Sequence, residues 1–367
     1  MIIFSNPSAQ TYTYKSEIKK KIDKFLNSKQ YINGIEVSNI EKKFAKFICA
    51  NYAVGVANGT DALELSLRGL NIGSGDEVIT TTHTAVATVS AIIAAGAKPV
   101  LADINPESYT INVNQFKELL SSRTKAIIPV HIYGNSANIH EVVKFCKKNN
   151  LFVIEDVSQA HGAKRDGIRL GNYGDVSCYS CYPTKNLGAL GDAGLITTND
   201  NKLNKRIKIL REYGWRKKNI SEINGRNSRL DELQAAILSI KLKYLDRDNN
   251  KRIKIANIYN KRLSGLDVIT PITEKGVKHV YHLYVIRTKK RDKLKSFLAK
   301  NNIIAGIHYP MPIHLQPAYK NNIKVAKSMC VSEKFAKEIL SLPIYPELSL
   351  EDVHFTCNKI RNFFLND

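Results

Sequence analysis

The sequence predicts an α/β protein in which a mostly parallel, seven-stranded sheet lies between layers of helices. The chain has 367 residues, of which 43% are hydrophobic and 24% charged, and this composition is ordinary for a soluble protein of two domains. Seven short apolar runs rich in β-branched residues follow one another between residues 53 and 199. Helical stretches separate several of these runs, and such alternation is typical of a parallel sheet covered on both faces.

The elements follow in chain order from the periodicity of the apolar residues. The first fifty residues are polar and helical, with Ile18 and Ile22 on one helix face and Ile40 and Phe44 on another. The seven apolar runs predict strands at 53–56, 78–81, 99–104, 126–132, 151–154, 176–182 and 195–198. Helices are predicted between them at 62–70, 84–95, 113–120 and 139–148.

After residue 200 the pattern becomes helical. Ser228, with Asp231 three residues later, predicts a helix start capped by Ser228, and this helix is expected to continue to about Leu263. The remainder is predicted to contain a strand at 280–287 and helices near 291–300, 332–339 and 350–364. We therefore expect an N-terminal segment and large domain at 1–245 and a small α+β domain at 246–367.

Charge is the unusual property of this chain, because 55 Lys and Arg against 33 Asp and Glu give a formal net charge of +22. Such an excess points to an anionic partner, which could be a nucleic acid, a membrane surface or a phosphorylated small molecule. The alternative is a composition rich in Lys, Asn and Ile along the whole chain. The basic residues lie in short scattered runs without a recognised nucleic-acid-binding motif, so we expect no nucleic-acid partner.

The sequence also favours a cytoplasmic protein without a membrane partner. No apolar run reaches the roughly 18 residues that a membrane span requires, and the N-terminus lacks the pattern of a secretory signal. Six cysteines are too few for a disulfide framework. Cys178 and Cys181 are interpreted as packing residues, because no second pair exists for a zinc site and residues three apart on a strand point to opposite faces. We predict no metal.

The first candidate group is Asn58-Gly59-Thr60-Asp61, which follows a predicted strand and opens a helix. The backbone N–H groups at such a helix start, together with the Thr60 hydroxyl, can hold a phosphate because the helix dipole favours an anion there. The alternative is an ordinary helix cap. The segment has no G-x-G-x-x-G or G-x-x-x-x-G-K-[ST] motif, which disfavours dinucleotide-binding and Walker-type sites.

The second candidate group is the carboxylate pair Glu155 and Asp156, at the end of an apolar strand where the ligands of open α/β sheets bind. A carboxylate at this edge can pair with a protonated ring nitrogen or with a metal. Gln159 and His161 follow closely. The alternative is a helix-capping or loop acid.

The third candidate is Lys185, in a glycine-rich loop that follows the strand predicted at 176–182. Its apolar neighbours predict a partly buried amine, and desolvation lowers the pKa of a lysine and frees the neutral nucleophile for Schiff-base chemistry. A phosphate cup, a carboxylate and a lysine are the groups that pyridoxal 5′-phosphate (PLP) requires. The sequence therefore predicts a PLP site.

These groups and several further motifs resemble the PLP-dependent sugar-nucleotide aminotransferase family, the DegT/StrS type within the aspartate aminotransferase fold (fold type I). The resemblance covers roughly residues 30 to 320. It is carried by Gly34-Ile35-Glu36-Val37, Asn58-Gly59-Thr60-Asp61-Ala62-Leu63, Gly75-Asp76-Glu77-Val78-Ile79, Glu155-Asp156, Gln159-Ala160-His161-Gly162-Ala163, the Lys185 loop, Asn227-Ser228-Arg229-Leu230-Asp231-Glu232-Leu233-Gln234-Ala235, His308-Tyr309 and His314-Leu315-Gln316-Pro317.

The resemblance implies catalytic roles for Lys185, Asp156 and His83 and a cofactor-binding role for Gln159. Lys185 is expected to bind the cofactor covalently and then move protons, and Asp156 to pair with the pyridine nitrogen. Gln159 is expected near the phenolic oxygen of the ring. His83 takes the position where the family stacks an aromatic side chain on the pyridine.

The resemblance also implies how phosphate and substrate are held. Gly59, Thr60, Asp61 and Ser180 are expected to hold the cofactor phosphate, with Asn227 reaching it from a neighbouring subunit. The protein is therefore expected to be a homodimer with shared active sites. Candidates for the sugar-nucleotide pocket are Tyr182, Tyr309 and His314.

The reaction implied by the resemblance is transfer of an amino group from L-glutamate to a nucleotide-linked keto-deoxyhexose. Lys185 is present where some family members have a histidine and catalyse dehydration, which favours transamination. The Lys185 loop resembles members that aminate C3 of a dTDP-3-keto-6-deoxyhexose, whose products enter lipopolysaccharide, other surface glycans or antibiotic sugars. The alternatives are a C4 aminotransferase acting on a UDP- or GDP-linked 4-keto-6-deoxyhexose and a non-enzymatic PLP-binding regulator.

Overall fold

The computed structural model describes residues 1–365 as a large central sheet with helices on both faces and a smaller region formed mainly by the C-terminal third of the chain. The helices are α1 (Pro7–Thr13), α2 (Lys15–Leu26), α3 (Ile35–Ile48), α4 (Gly59–Gly69), α5 (Val86–Ala94), α6 (Phe116–Leu119), α7 (Ile139–Lys148), α8 (Asn201–Leu210), α9 (Glu232–Leu242), α10 (Leu245–Leu263), α11 (Arg291–Lys300), α12 (Cys330–Glu338) and α13 (Leu350–Leu365).

The strands are β1 (Ile2–Ile3), β2 (Tyr52–Val56), β3 (Glu77–Thr81), β4 (Lys98–Ala102), β5 (Thr124–Ile128), β6 (Phe152–Asp156), β7 (Lys164–Arg165), β8 (Ile168–Arg169), β9 (Val176–Ser180), β10 (Gly194–Thr198), β11 (Trp215–Lys217), β12 (Ile220–Ser221), β13 (Val277–Lys278), β14 (Tyr284–Arg287), β15 (Ile303–Ile304), β16 (Lys324–Val325) and β17 (Ile339–Leu342).

The central sheet has the strand order β16-β4-β3-β5-β6-β9-β10-β2 and contains all seven predicted strands. The eighth strand is the two-residue edge strand β16. Neighbouring strands are parallel except β10, which runs antiparallel to both β9 and β2. Because β6 and β9 are parallel neighbours, their carboxyl ends, at Asp156 and Ser180, lie at the same edge of the sheet.

The alternation of side chains along β9 and its following loop separates two cores. Cys178 packs with α4 and α8 on one face of the sheet, whereas Tyr179 and Cys181 pack with α3 and α9 on the other. The prediction that Cys178 and Cys181 point to opposite faces is confirmed, and all six cysteines are free thiols. Within residues 1–365 no group of three or more His, Cys, Asp or Glu side chains could hold a metal ion. Nor does this part of the chain contain a helix with the length and apolar character of a membrane span.

Two predictions about the helix expected from Ser228 to Leu263 were wrong. Ser228 does not cap a helix: it is buried, and its hydroxyl accepts the N–H of Ala57 at 3.2 Å, while α9 begins only at Glu232. The helical stretch also does not run unbroken to Leu263, because α9 ends at Leu242 and α10 begins at Leu245. At this break Tyr244 stacks on Tyr14 with ring centroids 4.8 Å apart.

The smaller region contains the two-stranded sheet of β14 and β17, packed with α10, α11 and α13. Only the first of these strands was expected, since Ile339 was assigned to a helix and instead begins β17. The N-terminal strand β1 pairs in parallel with β15, so the first residues of the chain contact this region. The division at 245/246, at the start of α10, stays a prediction.

Glu232 connects α9 to the start of α3. Its carboxylate is buried and accepts the backbone N–H groups of Gly34 at 2.7 Å, Glu36 at 2.9 Å and Val37 at 3.0 Å. These are groups that a helix start leaves without intrahelical partners. The carboxylate therefore replaces the missing cap of α3, whose preceding residue is a glycine without a side-chain acceptor.

We expect Glu232→Gln to lower the free energy of unfolding by about 2 kcal/mol, because a neutral amide replaces a charged acceptor at a helix N-terminus. Urea unfolding at fixed protein concentration measures this change. Glu107→Gln, at an exposed glutamate, is the matched control and is expected to leave the unfolding midpoint unchanged. Equal midpoints for the two variants would contradict the capping role.

Candidate active site

A cavity of about 270 Å³ lies where the carboxyl ends of β6 and β9 meet the start of α4 and the loop after β9. Seven of the residues predicted from the sequence line this cavity: Gly59, Thr60, Asp156, Gln159, Ser180, Tyr182 and Lys185. The carboxyl edge of the sheet therefore brings together the three candidate groups, which are spread over more than 120 residues of the sequence.

The start of α4 forms a cradle against Ser180. A Cβ atom at Gly59 would lie 2.5 Å from the Ser180 Cβ, so only glycine allows the helix backbone to approach Ser180 this closely. The N–H groups of Gly59 and Thr60 belong to the first turn and have no intrahelical partners. Together with the Ser180 hydroxyl they form a set of donors suited to a phosphate.

Asp61 does not fit the expected role at this cradle. Its N–H donates to the Asn58 side chain at 2.8 Å, which is an ordinary helix cap. Its carboxylate lies 3.3 Å from the Arg226 guanidinium and does not line the cavity. An ordinary helix cap was the alternative interpretation of this segment. This cap, made by Asn58, is therefore present beside the phosphate cradle.

Glu155 and Asp156 point to opposite faces of β6 and have different surroundings. The Asp156 carboxylate lines the cavity and accepts hydrogen bonds from the Thr88 hydroxyl and the Ser158 N–H, both at 3.1 Å. These two donors fix the carboxylate and leave room on it for a further partner. Asp156 is thus oriented to receive a ring N–H from the cavity.

Glu155 is a structural acid. It is fully buried and pairs with His131 at 3.0 Å, and it also accepts the N–H groups of Gly171, Tyr173 and Gly174 at 2.8–2.9 Å. Burial alone would raise the pKa of Glu155, but the hydrogen bonds from His131, Gly174 and Gly171 hold it below its usual range. His131 is a structural residue as well, since its other ring nitrogen accepts the Ala137 N–H.

Lys185 lies in the loop after β9, with its N–H donating to the Tyr182 carbonyl at 2.8 Å. Burial lowers the pKa of its amine to about 8, against the attraction of the nearby Asp156 carboxylate and the Cys181 thiol. The sequence-based expectation of a desolvated lysine is confirmed. An amine with this pKa is partly neutral near pH 7.5 and can act as a nucleophile and as a proton carrier.

His83 is buried beside this cavity, and its hydrogen bonds fix its tautomer. The Tyr133 hydroxyl donates its only proton to the His308 carbonyl, so it can only accept from the His83 Nε2, 2.5 Å away. His83 therefore carries its proton on Nε2, and its Nδ1 has no partner within residues 1–365. Burial lowers the pKa of His83 to about 4, so the ring is neutral. Its stacking on the cofactor stays a prediction.

Gln159 is held by two tyrosines. Its side-chain oxygen accepts the Tyr133 N–H at 2.9 Å, and its nitrogen donates to the Tyr309 hydroxyl at 3.1 Å. Burial, with a contribution from Asp156, raises the pKa of Tyr309 to about 12. Tyr309 therefore stays a neutral phenol at this side of the site.

His314 and Asn227 do not line the cavity. The ring nitrogens of His314 contact the Thr82 hydroxyl at 2.7 Å and the Glu333 carboxylate at 3.1 Å, so both are already occupied within the chain. This arrangement disfavours His314 as a direct substrate ligand. Asn227 is exposed, as a residue offered to a second subunit would be, and its role stays a prediction.

Two positioning residues were not found from the sequence. Thr88, on α5, holds the Asp156 carboxylate, and Ser158 holds both Asp156 and, through its hydroxyl, the Ser180 N–H at 3.1 Å. Ser158 could have been suspected, because a residue two positions after an aspartate commonly donates to its side chain. Thr88 had no such local signal, since 68 residues separate it from Asp156.

The residues present fit PLP. The cavity combines a donor cradle that requires glycine, a fixed carboxylate and a desolvated lysine, and each matches one polar group of the cofactor. Gly59, Thr60 and Ser180 would hold its phosphate, and Asp156 its ring nitrogen. Lys185 would bind its aldehyde.

Comparison with known proteins supports the same conclusion. A 363-residue alignment covering 99% of each chain gives 45% identity to the dTDP-3-amino-3,6-dideoxy-alpha-D-galactopyranose transaminase of Aneurinibacillus thermoaerophilus. The chain is also 42% identical, over 97% of each chain, to a protein of Geobacillus stearothermophilus named pleiotropic regulatory protein. Among solved structures, S. venezuelae DesV in complex with a ketimine intermediate superposes with a TM-score of 0.96 at 39% identity, covering 99% of this chain and 98% of DesV.

The sequence profile of the DegT/DnrJ/EryC1/StrS aminotransferase family matches residues 13–361, nearly the whole chain. The fold and the cavity agree with this match, since a mixed sheet flanked by helices carries the lysine, the carboxylate and the phosphate cradle at one edge. The chain therefore belongs to the DegT/DnrJ/EryC1/StrS aminotransferase family and is a PLP-dependent enzyme.

Proposed function

We propose that the enzyme transfers the amino group of L-glutamate to C3 of a dTDP-linked 3-keto-6-deoxyhexose, for the synthesis of a deoxyamino sugar. One observation carries the proposal: Lys185 and Asp156 line one cavity in a chain that is 45% identical, end to end, to a dTDP-3-amino-sugar transaminase. The product would enter a surface glycan such as lipopolysaccharide or an antibiotic sugar.

When bound, PLP supplies an electron sink that stabilises the negative charge left at the α-carbon of the amino donor. Asp156 keeps the ring nitrogen protonated, which strengthens that sink, and Thr88 and Ser158 keep the carboxylate in place. The donor cradle of Gly59, Thr60 and Ser180 fixes the orientation of the ring. The chain would thus anchor the cofactor at its ring nitrogen and at its phosphate, and Lys185 would bind its aldehyde.

Lys185 would move the proton that leaves the α-carbon of the amino donor. Its amine must be neutral to accept a proton and must then hold it long enough to deliver it, so a pKa near the working pH is favourable. Burial brings the pKa of Lys185 to about 8. His161 and His308 lie near this amine, and burial lowers their pKa values to about 3 and about 4, so neither provides a competing charge.

We also propose a homodimer with shared active sites. Asn227 is exposed, and Tyr182, at the rim of the cavity, is half exposed. Beside Tyr182, Pro183 and Leu190 line an apolar groove with Tyr12, which is 75% exposed. A second subunit seated here would cover the groove and bring its own Asn227 towards the phosphate cradle.

The pH dependence of cofactor uptake tests the lysine. Covalent uptake of PLP by the cofactor-free protein needs the neutral amine of Lys185, so its rate is expected to rise with pH and level off above about pH 8. Asp156→Asn removes an attraction that raises this pKa, and its midpoint should move to lower pH. The absorbance change on uptake gives the rate, with Nα-acetyl-lysine as the reference amine. A midpoint near pH 10 would contradict the desolvated lysine.

The substrate is tested by mass spectrometry and NMR of the products formed from L-glutamate and separate dTDP-, UDP- and GDP-linked 3-keto and 4-keto sugars. We expect an amine at C3 of the dTDP sugar, and at least about a 100-fold loss of rate in Lys185→Ala, because a positioned acid–base group contributes that much. Amination at C4, or a preference for UDP or GDP sugars, would overturn the proposed substrate. Absence of transfer to every keto sugar would favour the regulator.

Subunit complementation tests the shared site. Lys185→Ala and Asn227→Ala chains are co-expressed, so that a mixed dimer has one site with both changes and one with neither. Random pairing then restores about a quarter of the wild-type rate if Asn227 acts across the interface. Lys185→Ala with Asp156→Asn is the matched control, because each mixed dimer then keeps one defect in each site. No recovery in the first pair would contradict a shared site.

A further inference from the structure

A second cavity lies far from the PLP site, at the opposite end of the sheet. Its volume is about 960 Å³, and we call it the basic cleft; it is lined by the end of α3, the β7–β8 hairpin and the end of α9. Asn172, in its wall, precedes the amino end of β9, whereas Ser180 at the carboxyl end of β9 lines the PLP cavity. One full strand therefore separates the two sites.

The basic cleft concentrates positive charge. Its basic side chains are Lys43, Lys46, Lys164, Arg169 and Lys243, and no acidic residue lines it. A smaller cavity of about 310 Å³ shares Lys43 and Lys243 with it and adds three lysines and a single acid. Within residues 1–365, Lys43, Lys46 and Lys164 form no ion pair. Lys43 and Lys46 thus have no ion-pair partner among the described residues, whereas Lys164 lies near the Asp246 carboxylate and helps to lower its pKa.

Helix stabilisation explains part of this charge but not all of it. Lys46 lies in the last turn of α3 and Lys243 directly follows α9, where cations offset the helix dipole. Lys164 and Arg169 are on the hairpin and have no such role. Basic side chains from two helices and one hairpin line the same cavity, whereas scattered surface lysines would not.

The wall of the cleft is rigid and partly apolar. The Arg169 guanidinium bonds both oxygens of Asp246, at 3.0 and 2.7 Å, and lies 3.7 Å from the centre of the Phe47 ring. Ile168, 46% exposed, and Leu242 add an apolar surface to the same cavity. The cleft therefore offers free cations next to a fixed guanidinium and an apolar surface.

We propose that the basic cleft binds a nucleoside di- or triphosphate, with its phosphates on Lys43, Lys46 and Lys164 and its base against Ile168 and Leu242. Small-molecule sites have volumes of roughly 300–1,000 Å³, so a single phosphate would leave most of this cavity empty. Its concave shape suits a compact ligand better than a long polyanion such as a nucleic acid. The proposal does not depend on the substrate of the aminotransferase.

The test is calorimetric titration of the PLP-loaded enzyme with ATP, in the wild-type chain and in variants of the cleft. We expect one ATP per chain, and at least about a 10-fold weaker affinity in the double variant Lys43→Gln/Lys164→Gln. The matched control Lys117→Gln/Lys125→Gln removes the same charge from exposed positions outside the cleft and is expected to change the affinity less than 2-fold.

Four results would overturn the proposal. ATP binding that Lys43→Gln/Lys164→Gln leaves unchanged would assign it to another site such as the active site, and equal losses in the two double variants would assign it to net charge. If adenosine bound as tightly as ATP, the phosphates would contribute nothing to the affinity. A DNA duplex that binds more tightly than ATP, with the same dependence on Lys43 and Lys164, would make the cleft a nucleic-acid site. Because binding is measured directly, failure of amino transfer leaves the result intact.

Discussion

Adjacent residues on a β-strand point to opposite faces, and the active site depends on this rule at the end of β6. Glu155 and Asp156 are neighbours in sequence, yet one is fixed in the interior by His131 and three backbone N–H groups and the other lines the cavity. A one-residue slip of β6 would exchange them. The position of Asp156 is therefore determined by how firmly Glu155 is held.

Glu155 is hydrogen-bonded by a loop as well as by the sheet. Gly171, Tyr173 and Gly174 donate their N–H groups to its carboxylate, and Ser177, at the start of β9, adds its hydroxyl at 3.3 Å. The loop between β8 and β9 is thus bound to β6. β9 ends at Ser180 in the phosphate cradle. Glu155 therefore also helps to fix the position of the Asp156 carboxylate relative to this cradle. Loss of such a buried, multiply bonded charge is strongly destabilising.

The parts of this structure that sequence reasoning predicted are those with strong local signals. The seven strands were found because each is a short apolar run. Asp156 was found because the ligands of open α/β sheets bind at the carboxyl end of such a strand, and Lys185 because it lies among apolar residues in a glycine-rich loop. Ser228 was misassigned because its pattern is that of a helix cap, whereas its hydroxyl is used by Ala57, 171 residues away. His314 likewise has distant partners, Thr82 and Glu333, and its role at the substrate stays a prediction. Local sequence patterns give no information about contacts between residues so far apart in the chain.

The net charge of +22 contrasts with the interior around Lys185, where the histidine side chains are neutral. Burial lowers the pKa of His161 to about 3 and of His308 to about 4, and that of His282 falls well below its ordinary value. A protonated histidine here would lower the pKa of Lys185 further and weaken it as a proton carrier. Since these rings stay neutral, the proton affinity of Lys185 is set by burial, which lowers it, and by Asp156 and Cys181, which raise it. The positive charge of the chain therefore acts at its surface, while desolvation controls the chemistry inside.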